Sequence, residues 1–178
     1  DTQEDPGDPF VGLLDQQPLE GGRVSGVLLA TYPPEGKGSY IIGRFPDYKV
    51  NGGDLLFGRV GLTATSNGNC KEGDVDFRIH MMVEGDPATM VLLLEWNEVC
   101  DRKMKSFEIE LDDYKGQNVQ IFLVVVSNNN SSENKAVWDV TASTSRSPSA
   151  LVAMPPSTDR AEKTRQPVLS VTWRLWHR

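Results

Sequence analysis

The chain is poor in the residues that carry most enzyme chemistry. Its 178 residues include only two histidines and two cysteines. His80 and His177 are too sparse for a credible nucleophile triad. With Cys70 and Cys100, neither of which lies in a CxxC pair, they make a poor zinc set. GxSxG, HExxH, Walker and GxGxxG patterns are all missing, as is an EF-hand loop. No apolar run approaches the ~20 residues of a membrane helix, which excludes a helical membrane span. A basic excess is also lacking. The net charge is −7, and nucleic-acid binding needs a basic face, so nucleic acid is excluded as the main partner. No sustained 3.6-residue pattern occurs, which excludes helical folds.

What is present is alternation. From Asp74 to Glu84, Val75, Phe77, Ile79, Met81 and Val83 alternate with Asp74, Asp76, Arg78, His80, Met82 and Glu84, one face apolar and one mostly polar. Ser106–Leu111 repeats the pattern with Phe107, Ile109 and Leu111 inward. Val119–Val126 is apolar on both faces, which predicts a central strand covered on both sides. Further strands are expected at Tyr40–Phe45, Leu55–Ala64, Thr89–Cys100 and Ala136–Thr141. The turns between them are rich in Asn, Asp and Gly, and Leu111–Gly116 predicts a single helical turn. Seven or more strands at about ten-residue spacing describe an all-β fold, an antiparallel β-sandwich or jelly roll.

The ends differ from the body. Residues 1–140 carry a balance of −11 and residues 141–178 one of +4. Residues 1–22 read as an irregular lead-in, 23–141 as the sandwich, and 142–167 as a Ser/Pro/Arg-rich linker. In 168–178, Leu169, Val171, Trp173 and Leu175 alternate with Ser170, Thr172 and Arg174, the pattern of an amphipathic strand. Val168–Trp176 would expose a large apolar stripe unless covered. It can return to its own sandwich as an edge strand, serve self-association by exchange with another copy, or be a passenger outside the native domain. The chain opens on Asp1 without an apolar leader, so an export signal would lie outside it. Two cysteines with no metal partners read most naturally as a disulfide, which favours an oxidising compartment; two buried free thiols are the other reading.

Three stretches resemble a known family. "FEIELDDYKGQNVQIFLVVVSN" (107–128) is similar to the closing section of bacterial jelly-roll modules, "AVWDV" (136–140) to their last strand, and "CKEGDVDFRIHMMVEG" (70–85) also fits. The family is the broad set of carbohydrate-binding-module-like jelly rolls of secreted bacterial proteins, and the likeness covers roughly residues 20–141. It implies a non-catalytic module that is secreted or on the cell surface and binds polysaccharide or glycan. A structural or assembly module of a surface or filamentous protein, packing or exchanging its C-terminal strand, is the alternative. The family also implies that a structural calcium ion is common. Asp47, Asp54, Asp74, Asp101 and Asp139 fall near strand ends, but the sequence assigns no ligands. No other cofactor is expected.

Sugar-binding modules of this kind use exposed aromatic faces with polar neighbours, as the resemblance implies. Tyr32, Tyr40 and Tyr48 sit near Pro- and Gly-rich turns and are expected to be exposed. Asp76, Arg78 and His80 project from one side of a strand and can bond sugar hydroxyls or a carboxylate; a solvated outer face is the bland reading. Trp96 is in phase with Leu92, Leu94 and Cys100, yet remains a candidate ligand contact. Trp138, in phase with Ala136 and Val140, is expected in the core. The ligand set is thus Tyr40, Tyr48, Asp76, Arg78, His80 and Trp96. The carboxylate pairs Glu95/Glu98, Glu108/Glu110 and Asp74/Asp76 have hydrolase-like spacing, but any acidic strand provides that, and no catalytic activity is expected. Asn129 and Asn130 each start a glycosylation sequon, which reads here as turn chemistry.

Overall fold

The computed structural model describes residues 9–22, 25–143 and 172–175. It is a β-sandwich of two antiparallel sheets. The first contains β1 (Phe10–Leu14), β2 (Leu28–Tyr32), β5 (Leu55–Leu62), β8 (Lys105–Glu110) and β10 (Ala136–Ser143) in the order β1-β2-β10-β5-β8. The second has the order β11-β3-β9-β6-β7, built from β3 (Tyr40–Arg44), β6 (Asp74–Val83), β7 (Val91–Val99), β9 (Asn118–Ser127) and β11 (Thr172–Leu175). The short β4 (Tyr48–Lys49) pairs with β9. The expected helical turn is a single 3-10 turn at Asp112–Tyr114.

Period-two patterning explains the packing. On β6, Val75, Phe77, Ile79 and Met81 are fully buried between the sheets while the intervening residues are not. They meet Val60, Leu62, Leu123, Val125 and Trp138 in the main core. Burying apolar surface at about 25 cal/mol per Å2 is the dominant favourable contribution in such a two-layer fold.

Two expectations need correction. The lead-in is not irregular throughout: β1 pairs with β2 along five residues. Phe10 and Leu14 pack with Leu19, Leu28, Ala30 and Val137 into a second, smaller core on the outer face of the first sheet. β9 is central, between β3 and β6, and its inner face is core as expected. Its outer face bears Phe122, Val124 and Val126, and among the described residues no further layer of secondary structure lies over it.

The expected linker lies almost wholly outside the described residues. Beyond it, β11 runs antiparallel along β3 of the same chain, with Thr172 opposite Arg44 and Leu175 opposite Ile41. Pairing there covers the open edge of β3, which would otherwise be a template for other chains. Truncation after residue 143 is therefore expected to lower the melting temperature by a few degrees at unchanged oligomeric state. Thermal melting with light scattering checks this; a change from oligomer to monomer on truncation would instead place the strand on a neighbouring copy. No helix among the described residues is long and apolar enough to cross a membrane.

Candidate functional site

The outer face of the second sheet gathers three rows of side chains across four strands. The registers place Tyr40, Val126, Asp76 and Asn97 in one row, and Ile42, Val124, Arg78 and Glu95 in the next. Arg44, Phe122, His80 and Leu92 form the third. A bulge between Ile79 and His80 shifts the register on β7, so that Leu92 rather than Leu93 stands opposite His80. Bulges of this kind re-aim side chains at functional surfaces. With strands about 4.8 Å apart, the four-strand grid is roughly 14 Å wide. Its β3–β9 half is mostly apolar, with an aromatic ring at each diagonal corner. Its β6–β7 half is mostly polar.

Hydrogen bonds hold the polar half in one arrangement. Arg78 donates from Nε to Glu95 Oε1 at 2.7 Å and from its guanidinium to Asp76 Oδ2 at 3.1 Å. Asn97 Nδ2 donates to Asp74 Oδ1 at 2.9 Å and to Asp76 Oδ1 at 3.2 Å. Asn128, at the end of β9, donates to the same two oxygens at 3.1 and 2.7 Å. Burial, and then the Arg78 charge, lower the pKa of His80 below 6.5. The imidazole is therefore neutral above that pH, able to donate from one nitrogen and accept at the other.

Four of the residues singled out from sequence meet on this face: Tyr40, Asp76, Arg78 and His80. Trp96 and Tyr48 do not. Trp96 stands opposite the core residue Phe77 and packs edge-on against Phe107, with ring centroids 6.4 Å apart. Strand alternation turns it toward the other sheet. Tyr48 pairs with the inward-facing Val119, and its hydroxyl donates to the buried Asp54. Burial and that bond push its hydroxyl up to about 12. Its ring lines an apolar crevice of about 30 Å3 with Phe45, Leu56 and Ile121. Sequence reasoning missed Ile42, Phe122, Val124, Glu95, Asn97 and Asn128 as members of the face. The second apolar face of β9 was the available signal for two of them, Phe122 and Val124.

One carboxylate pair separates, whereas Asp74 and Asp76 stay together under the Asn97 and Asn128 amides. Glu95 and Glu98 lie on opposite faces of β7, the first bonded to Arg78 and the second fully buried. A cleft of about 550 Å3 lies on the other sheet, lined by Leu28, Arg59, Lys103, Ser106 and Asp139 among others. In its lining Arg59 and Asp139, register partners on β5 and β10, pair at 2.5 Å. Cys70 and Cys100 form a disulfide, with Cα atoms 5.5 Å apart.

No family model and no curated protein matches the chain. Among solved structures, the carbohydrate-binding module TmCBM61 in complex with beta-1,4-galactotriose is similar over 76% of this chain and 82% of that one. The identity is 12% and the TM-score 0.49. At that level the sandwich stands on its own strand pairing, and the ligand has to be argued from the face just described.

Proposed function

We propose that this is a non-catalytic, secreted or cell-surface module that binds polysaccharide or glycan on the outer face of its second sheet. The observation that carries the reading is the joining of two unlike surfaces in one rigid grid. An apolar stripe of Tyr40, Ile42, Phe122 and Val126 over the buried Val124 adjoins the bonded set Asp76, Arg78, Asn97 and Asn128, with His80 beside it. A pyranose has the matching halves: a C–H face that packs on apolar and aromatic surface, and hydroxyls that seek fixed donors and acceptors. Most of the polar partners are already hydrogen-bonded to one another, so little side-chain freedom is lost on binding. The disulfide fits an oxidising compartment.

Binding of this kind rests on packing and on hydrogen bonds to uncharged hydroxyls, with few ion pairs formed. Affinity is therefore expected to vary little from about 0.05 to 0.5 M salt. It is also expected to be flat above pH 6.5, because the lowered pKa of His80 confines its charging to more acidic solution. Titration calorimetry against a polysaccharide panel tests this with Tyr40→Ala, Arg78→Ala and, as a probe of the cleft, Ser106→Trp. The first two are expected to bind at least about tenfold more weakly, equivalent to about 1.4 kcal/mol each, with melting temperatures within a few degrees of the parent. Ser106→Trp is expected to bind as the parent does. Parent-like binding by both grid variants, or no binding to any polysaccharide, overturns the reading. Loss confined to Ser106→Trp moves the ligand to the cleft.

A further inference from the structure

A second group of polar side chains converges away from the grid, where one end of β7 meets the first sheet. Residues 18–20 run beside the end of β5, past the point where β8 stops. Glu20 N donates to Leu62 O at 3.1 Å and Ala64 N to Pro18 O at 2.8 Å. The Glu20 carboxyl turns in over Gly61, and its Oε1 accepts Leu62 N at 2.8 Å. A Cβ at Gly61 would lie 2.6 Å from that oxygen, so only glycine leaves room for it. Glu98 arrives from the inner face of β7 and is 0% exposed. Asp101 follows just after Cys100 and reaches solvent. One carboxylate oxygen from each of Glu20, Glu98 and Asp101 lies within 4.8 Å of the others.

Asp101 accepts from Lys103 N and Lys105 Nζ, but the two buried groups are short of partners. Neither oxygen of Glu98 accepts a hydrogen bond, nor does Oε2 of Glu20, although both side chains are buried. Buried carboxyl oxygens are normally satisfied, because leaving them bare is costly. The facing charges are three carboxyls and the Lys105 ammonium, with the Lys103 charge acting on Asp101 alone. Lys105 Nζ is 2.6 Å from Asp101 Oδ2 and 4.0 Å from Glu98 Oε2. Burial, then the neighbouring Glu20 charge, push Glu98 up to about 8; burial pushes Glu20 up to about 7. The pair is thus underprovided with positive charge.

We propose that Glu20, Glu98 and Asp101 form a binding site for one divalent cation, calcium by the chemistry of its donors. All three are hard oxygen ligands without nitrogen or sulfur, which disfavours zinc and copper. Carboxylates that can each offer one or two oxygens in an irregular set suit calcium's loose geometry, whereas magnesium demands a near-ideal octahedron and keeps its water. The orphaned oxygens of Glu98 and Glu20 supply the buried side of the site, and Asp101 supplies the opening to solvent. The Lys105 side chain is 33% exposed, so its ammonium can withdraw as the ion enters. An ion held here would clamp residues 18–20, the end of β7 and the start of β8. The site shares no residue with the proposed glycan face.

The test uses the full chain, stripped with chelator and dialysed, with calcium or magnesium chloride as probe. Calorimetry is expected to show one calcium per chain. About 10 mM calcium is expected to raise the melting temperature by about 3–10 °C over chelator, from a dissociation constant near the 0.1–1 mM of extracellular calcium modules. Magnesium at the same concentration is expected to have little effect. Glu98→Gln is expected to lose the calcium response while melting in chelator at or above the parent, and Lys105→Met to keep the response or strengthen it. Should Glu98→Gln fail to fold, Asp101→Asn, at an exposed position, takes its place. Equal melting in calcium and chelator without calcium heat in the parent overturns the proposal. So does a parent-like calcium response in the carboxylate variant.

Discussion

Trp138→Ala is expected to cost about 3–5 kcal/mol of stability, the range for deleting a buried aromatic side chain. The indole is 1% exposed on the inner face of β10. Its ring meets Phe77 of the opposite sheet edge-on, with centroids 4.8 Å apart. It therefore joins the two sheets near the middle of the main core. Its Nε1 donates to Thr31 Oγ1 at 3.0 Å, on the neighbouring strand β2. Alanine would leave a cavity against Phe77 and deprive a fully buried hydroxyl of its donor. For a chain of this size the loss corresponds to a fall of roughly 10 °C or more in melting temperature. Trp138→Phe separates the two contributions, since it retains a ring and forfeits only part of the volume and the N–H. It is expected to cost less, with about 1–2 kcal/mol traceable to the hydroxyl. Urea denaturation of the three proteins measures both. Glycan affinity, read well below the melting temperature, is expected to be unchanged, because Trp138 lies inside and on the other sheet. A Trp138→Ala protein that melts with the parent yet no longer binds would reverse these assignments.

The position of Trp138 was legible because it alternates in phase with Ala136 and Val140. The same reasoning works for β6 and β8, where one face is core and the other wet. It fails where both faces are apolar. β9 reads identically whether a second layer covers Phe122, Val124 and Val126 or a ligand does, because periodicity reports burial potential and not what lies opposite. β1 and β2 were hidden for a related reason. FVGLL and LLATY show no clean alternation, because their outer residues pack in the second core with Leu19 and Val137.

In the candidate site, Asp76, Arg78 and His80 could be grouped because they share a strand. Asn97, Asn128 and Tyr40 join them only through strand register, which local sequence does not encode. Trp96 was expected at the ligand although its phase with Leu94 pointed inward, and on the strand its alternation with Glu95 turns it to the core. Glu95 and Glu98 illustrate the limit most directly. Three residues apart, they read as a carboxylate pair. On a strand an odd separation sends one to each face, so Glu98 instead meets Glu20, 78 positions earlier in the chain.

Loss of the Cys70–Cys100 disulfide is expected to lower stability by about 3–4 kcal/mol, the chain-entropy value for a closed loop of some 30 residues. The native geometry asks little of the backbone. Cα atoms 5.5 Å apart are within the usual range, and the two segments already bond to each other. Cys100 N donates to Gly73 O at 3.3 Å, and Cys70 N points to Cys100 Sγ at 3.1 Å. The crosslink therefore fastens the turn after Cys70 to the end of β7, and it stabilises chiefly by restricting the unfolded chain. Its local consequence follows from what flanks Cys100. Glu98 lies two residues before it and Asp101 one after. Just beyond, the Arg102 carbonyl packs against Gly21, where an added Cβ would sit 2.7 Å from that oxygen. With the bond reduced, fraying of β7 would separate Glu98 and Asp101 from Glu20. Denaturation with and without reductant, and of Cys70→Ser/Cys100→Ser, is expected to show the same 3–4 kcal/mol loss. The calcium-dependent rise in melting temperature is expected to shrink in both. Coincident denaturation midpoints with and without reductant, or two free thiols in protein matured in an oxidising medium, would remove the crosslink from the fold's stability. A full loss of stability with an undiminished calcium response would show instead that backbone pairing at Gly73 suffices to hold the end of β7.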